Sequence, residues 1–107
     1  MNAKDKEIWQ RQFREEEELC EKLISIMTLI ANKIRFRVLC LLSKGDFCVT
    51  DIVETIGNAK ISNVSQQLRL LTIAGILERR RDRKRIIYSL KDEKVRHFLN
   101  ELMKLYR

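Results

Sequence analysis

At 107 residues the chain is the size of one domain, and with 45% hydrophobic residues, three glycines and no proline it leaves little room for irregular linkers and favours helices. No apolar run approaches the roughly 20 residues that span a bilayer, and MNAKDKEIWQ lacks the apolar core of a signal peptide, so the expectation is a cytoplasmic location. The formal charge of +7 is unevenly placed: residues 1–25 carry five basic and seven acidic side chains, whereas RRRDRKR at 79–85 sets six positive charges against Asp82 alone, the electrostatic footprint of a polyanion partner.

Residues 5–19 predict a charged helix with Ile8, Trp9, Phe13 and Leu19 as its apolar points. LCEKLISIMTLIA, 19–31, follows without a linker as an apolar helix. In NKIRFRVLCLLSKG, Asn32 is placed to cap a third helix and Gly45 to stop it, with Ile34, Val38, Leu41 and Leu42 on the buried face. VTDIVETIG predicts a short helix with Thr50 as its cap, Asp51 at its positive end and Gly57 at its stop.

NAKISNVSQQLRLLTIAG, residues 58–75, reads as one helix with two unlike faces. Ile61, Val64, Leu68 and Leu71 recur at the spacing of a buried stripe. Opposite them stand Ser62, Ser65, Gln66 and Arg69, with Asn63 beside them. Those are mostly neutral hydrogen-bonding groups, in a chain of which 35% is charged. ILERRRDRKRIIYSL, 76–90, then changes to strand character, with a turn near Asp82 and Arg83. A final helix, 92–106, carries Val95, Phe98, Leu99, Leu102 and Leu105 on one face.

A short helix, a turn, a second helix with a polar face and a basic hairpin make up the layout of a winged helix-turn-helix. The fold class expected is therefore mainly α with a small β-hairpin, a single domain over 1–107 with the helix-turn-helix at 50–75 and the wing at 76–90. The second helix of such a motif lies in the DNA major groove, where base edges present distinct donor and acceptor patterns. Directional amides and hydroxyls read those patterns. Charge grips phosphate without sequence information. Ser62, Asn63, Ser65, Gln66 and Gln67 are accordingly the expected readers of bases or adjacent phosphates, and Arg69 is expected on a phosphate. Arg81, Arg83, Lys84 and Arg85 would hold the flanking backbone or minor groove.

From about residue 31 to 103 the chain resembles the ArsR/SmtB family of winged-helix repressors. ANKIRFRVLCLLSKGDFCVTDIVETIG resembles that family's lead-in helix and first motif helix, and SNVSQQLRLLTIAGILERRRDRKRIIYSL its recognition helix and wing. The resemblance implies a homodimer, with the segments 1–31 and 92–107 packed across the twofold, that binds a palindromic operator and releases it when an inducer arrives. Ile61 stands where the family commonly has a polar residue, and the wing tip lacks the usual glycine. Trp9, Phe13, Phe98, Leu102 and Tyr106 are the expected dimer contacts, with ordinary intrachain core as the other reading.

The family's sensor sites match only in part. Asp92 fits the first ligand of a zinc site on the last helix, but Lys94 occupies the second and MKLYR offers none, so no metal site is expected there; His97 is the only histidine. Of the family's paired cysteines at the first motif helix, Cys48 is present and Thr50 replaces the second. A soft-metal site would need Cys48 and Cys20. Cys40 resembles a reactive cysteine of the sulfide- and oxidant-sensing branch, whose partner position falls at Arg107. Cys20, Cys40 and Cys48 are thus candidate sensor thiols, with inert packing as the alternative reading. Arg37, one turn from Cys40, is placed to favour its thiolate.

No Gly-rich phosphate loop or paired carboxylates argue for an enzyme, and no cofactor is called for. A winged helix used as a protein-interaction module is the competing class, with the hydrogen-bonding face at 62–69 against it. An RNA binder would want exposed aromatics on a sheet, and Tyr88 is the only aromatic of the ribbon.

Overall fold

The computed structural model describes residues 1–107 as six helices and three short strands. Helix α1, Ala3–Glu15, is capped by Asn2, whose side chain accepts from the Asp5 N–H at 2.9 Å. The backbone breaks at Glu16, and α2 runs Glu17–Ile30. The predicted helix 5–19 is therefore two helices, since the Glu15–Glu18 run places four like charges on successive residues at the break. Asn32 caps α3, Lys33–Leu42, as expected, accepting from the N–H groups of Ile34 and Arg35. Gly45 is not the stop; the helix ends at Leu42 with Ser43 as its C-cap.

Strand β1, Phe47–Cys48, has no counterpart in the sequence reading. It is followed by α4, Val49–Ile56, which starts from Cys48, so Thr50 lies inside the first turn and is not the cap. Gly57 does end α4, with φ +70°, and Asn58 follows in the same left-handed region at +49°. Two consecutive residues with positive φ break the predicted helix 58–75, and α5 covers Ile61–Ile73.

The end of α5 is a Schellman turn. Gly75, at φ +81°, donates to the Thr72 carbonyl and Ile76 to the Leu71 carbonyl, while the side chains of Leu71 and Ile76 are both buried. Strands β2, Leu77–Asp82, and β3, Arg85–Leu90, form the antiparallel ribbon through a two-residue turn at Arg83 and Lys84. Strand β1 adds to the free side of β3, giving the order β1-β3-β2. Helix α6, Glu93–Tyr106, is capped by Asp92, which accepts from the N–H groups of Lys94 and Val95.

One core joins Ile30 of α2, Val38, Leu39 and Leu42 of α3, Ile52 of α4, the α5 stripe, Tyr88 and Leu90 of β3, and Val95 and Leu99 of α6. Arg96 locks α6 to this body, donating to the Ser43 and Leu90 carbonyls. Three expected core positions lie elsewhere: Ile61 is 56% exposed, Phe98 42% and Leu105 78%. Ile61 sits in the first turn of α5, ahead of the point where the helix meets α3, and Leu39 takes a core place that the sequence reading did not assign.

This partition predicts opposite outcomes for two truncations at the same protein concentration. Leu68→Ala removes a fully buried side chain and is expected to cost about 2–5 kcal/mol. Ile61→Ala is expected to stay within about 0.5 kcal/mol of the parent. Urea unfolding midpoints measure both.

Candidate nucleic-acid interface

Helices α4 and α5, joined by the turn at 57–60, form the helix-turn-helix. Val64, Leu68 and Leu71 have no exposed surface, so the inner face of α5 is fixed against the core. Ser62, Asn63, Ser65, Gln66 and Arg69 are consequently all exposed on its outer side. Gln67 is different. It is half-buried, its Oε1 accepts from Arg35 Nη1 at 2.7 Å, and its Nε2 donates to Asn63 Oδ1 at 3.1 Å. Sequence spacing could not separate it from Gln66, because its partner lies 32 positions earlier.

The ribbon divides its cations by face. Register sets Arg79 opposite Tyr88 and Arg81 opposite Ile86, with Leu77 and Leu90 on that same face toward the core. Arg80 is on the other face, paired to Ile87, and its Nη1 donates to both Asp46 Oδ2 and Ser89 Oγ at 3.1 Å. Arg80 is thereby committed to the protein. Arg81, Arg83, Lys84 and Arg85 are exposed, and none pairs with a carboxylate. Arg81 Nε does reach the Arg83 carbonyl at 3.2 Å across the turn. Arg83 holds φ +59° where glycine would be unstrained, a conformation that costs a non-glycine residue about 1 kcal/mol or more. An arginine kept at that cost on a cationic tip points to use of its charge.

The three cysteines are free and in three settings: Cys20 exposed, Cys40 half-buried, Cys48 buried. Burial pushes the Cys40 thiol above its ordinary pKa, and the cationic Lys44 and Arg107 offset only part of that. Arg37 is not among those cations; it donates to the Ile56 carbonyl at 3.1 Å. The Cys48 thiol donates to Asp51 Oδ2 at 3.2 Å, at the start of α4. No three His, Cys, Asp or Glu side chains gather anywhere in the chain. Asp92 is occupied as the α6 cap, and His97 is exposed.

No helix is long and apolar enough to cross a membrane. Compared with known sequences, residues 32–79 match the family described as bacterial regulatory protein, arsR family. A biofilm growth-associated repressor of Xylella fastidiosa (strain Temecula1) is 29% identical over 90 residues, covering 84% of this chain and 78% of that protein. The protein of the same name from Agrobacterium fabrum is 31% identical over 81 residues, covering 76% and 68%. Among solved structures, the transcriptional repressor BigR from Xylella fastidiosa superposes with a TM-score of 0.79 at 28% identity, covering 88% of this chain and 95% of that one. The match extends beyond the helix-turn-helix, so the winged fold is shared and not only the motif.

Thiolate chemistry follows from the burial of the three sulfurs. At neutral pH, alkylation by iodoacetamide is expected first at Cys20, then at Cys40, and last at Cys48. Because the Cys40 pKa is raised, its thiolate fraction grows only above the ordinary thiol range, so its rate should still be climbing at pH 9. Peptide mass spectrometry over time and pH reads both the order and the climb.

Proposed function

The chain belongs to the arsR family of bacterial regulatory proteins, and from that premise we propose that it is a transcriptional repressor that reads duplex DNA with α5 and grips the flanking phosphates with its wing. The carrying observation is the outward face of α5, where Ser62, Asn63, Ser65 and Gln66 are exposed together on a helix whose inner face is buried. A face of neutral hydrogen-bonding groups suits base edges in the major groove. Arg69 is placed for a phosphate, and Arg81, Arg83, Lys84 and Arg85 for the backbone beyond it.

The acting form in this proposal is a homodimer on a palindromic site. Helix α1 has no buried residue, and Trp9, Phe13 and Tyr106 are exposed. The radius of gyration of 17.8 Å exceeds the roughly 13 Å of a compact chain this long. Those apolar side chains are therefore not intrachain core, which supports their assignment, with Phe98 and Leu102, to the contact across the twofold. Release by thiol modification belongs to the same proposal. The support is the exposure of Cys20 on α2; the raised pKa of Cys40 and the burial of Cys48 make those two weaker sensors.

Fluorescence anisotropy with the gene's own upstream duplex tests the reading. Gln66→Ala is expected to lower discrimination among operator variants about tenfold, in line with the ~1–3 kcal/mol of a good base contact. Arg83→Ala is expected to weaken every duplex alike and to reduce the salt slope by about 0.9. Two variants with the same profile would overturn the division between reading helix and gripping wing. Loss of binding to the upstream duplex after a mild thiol oxidant, restored by reductant and absent in Cys20→Ser, is the outcome expected for release.

A further inference from the structure

Four hydrogen bonds run from the end of α2 to the outer face of α5 through one guanidinium. Arg35 Nε donates to the Leu29 carbonyl at 2.6 Å and Nη2 to the Thr28 carbonyl at 3.3 Å, both in the last turn of α2. Its Nη1 donates to Gln67 Oε1 at 2.7 Å. Gln67 Nε2 then donates to Asn63 Oδ1 at 3.1 Å, one turn back along α5.

The polarity of this series is fixed at its source. A guanidinium has five N–H donors and no acceptor, so the Gln67 amide must turn its oxygen toward Arg35. Its nitrogen then faces Asn63, and Asn63 must turn its own oxygen inward to accept. An unpartnered Asn or Gln presents either end of its amide with equal ease. These two cannot be reversed without setting N–H against N–H. Asn63, which is exposed, is left with its Nδ2 donors uncommitted and its oxygen engaged.

We propose that Arg35 is a positioning residue for base recognition: acting through Gln67, it sets the hydrogen-bond polarity of Asn63, so that Asn63 offers donors to an acceptor on the base edge. In the major groove those acceptors are purine N7, guanine O6 and thymine O4. The inference rests on the reading of α5 as the DNA helix. Arg35 is half-buried, fastened at three points within the protein, and touches no base itself.

The test selects bound sequences from a pool of duplexes with a randomised centre, using the full chain at low salt, where phosphate contacts keep weakened variants bound. Asn63→Ala identifies the base positions whose preference depends on Asn63. Gln67→Glu preserves an acceptor for Arg35 but has no N–H for Asn63, whose amide must turn over to donate to the introduced carboxylate. At the Asn63-dependent positions, preference is then expected to move by about tenfold toward bases with a donor, adenine N6 or cytosine N4. Preferences lost in Gln66→Ala should stay where they are. Arg35→Met should flatten the Asn63-dependent positions, and Arg35→Lys, another donor-only side chain, should restore them. A strut of purely structural value would change the melting midpoint and overall affinity but not the identity of the preferred base.

Should Arg35→Met fail to fold, Gln67→Glu carries the test alone, since it keeps the Arg35 bond. The inference is overturned if Asn63→Ala alters no position, or if Gln67→Glu leaves the Asn63-dependent positions as in the parent. In either case preferences that depend on Gln66 would leave the DNA reading standing. A parent protein that enriches no sequence would instead sink that reading, and the inference with it.

Discussion

Val64, Leu68 and Leu71 expose no surface, and what the molecule offers to a polyanion depends on holding them there. Burial of each such side chain contributes about 1.5–3 kcal/mol. Together they fix the rotation of α5 about its own axis. Successive residues on a helix are separated by about 100°, so an inner face set by packing also sets the outer one. Ser62, Asn63, Ser65 and Gln66 face outward because of the aliphatic stripe behind them and not because of interactions of their own. The Schellman turn at Gly75 and Ile76 then delivers the chain into β2 directly from that fixed helix, which ties the position of the wing to the same packing.

Within this frame, hydrogen bonding and charge are kept apart. The reading face carries one cation, Arg69, while the six of 79–85 sit on the ribbon. They are not equivalent there. Arg80 is held by Asp46 and Ser89 on the outer face of the sheet, where it braces the ribbon against the loop before β1. The exposed pairing with Asp46 adds little to stability, but it leaves Arg80 the least available of the group. Arg83 is the reverse case, strained in its backbone and unbonded in its side chain. A charge run in sequence is thus resolved by structure into one brace and several free cations.

What could be read from sequence was what local periodicity carries. The α5 stripe, the Asn32 cap, the Gly57 stop and the ribbon with its turn near residue 83 all depend on neighbours within a few positions. The misassignments arise where distant contacts decide. Strand β1 is two residues long, too short for an alternation to register, and it exists because β3 pairs with it about forty residues later. Ile61 fits the stripe by spacing, yet the left-handed pair Gly57 and Asn58 starts α5 so late that its first turn reaches beyond the core. Gln66 and Gln67 are identical in type and adjacent in sequence, and only Arg35 distinguishes them. The thiols show the same limit, because Cys40 and Cys48 differ from Cys20 by burial that spacing does not encode.

Helix α1 raises a last question of energetics. A 13-residue helix that buries nothing in its own chain is marginal in water by itself, and its apolar points, Ile8, Trp9 and Phe13, gain nothing while exposed. The same holds for Leu23, Ile24 and Met27 along α2. In the proposed dimer these side chains are covered by the partner, so folding of the N-terminal third and association become one equilibrium that depends on protomer concentration. The last turn of α2 also supplies the two carbonyls that locate the Arg35 guanidinium. The turn that closes the apolar helix and the amide that faces the base are therefore parts of one hydrogen-bonded unit, and association bears on the order of the reading face through bonds rather than through proximity.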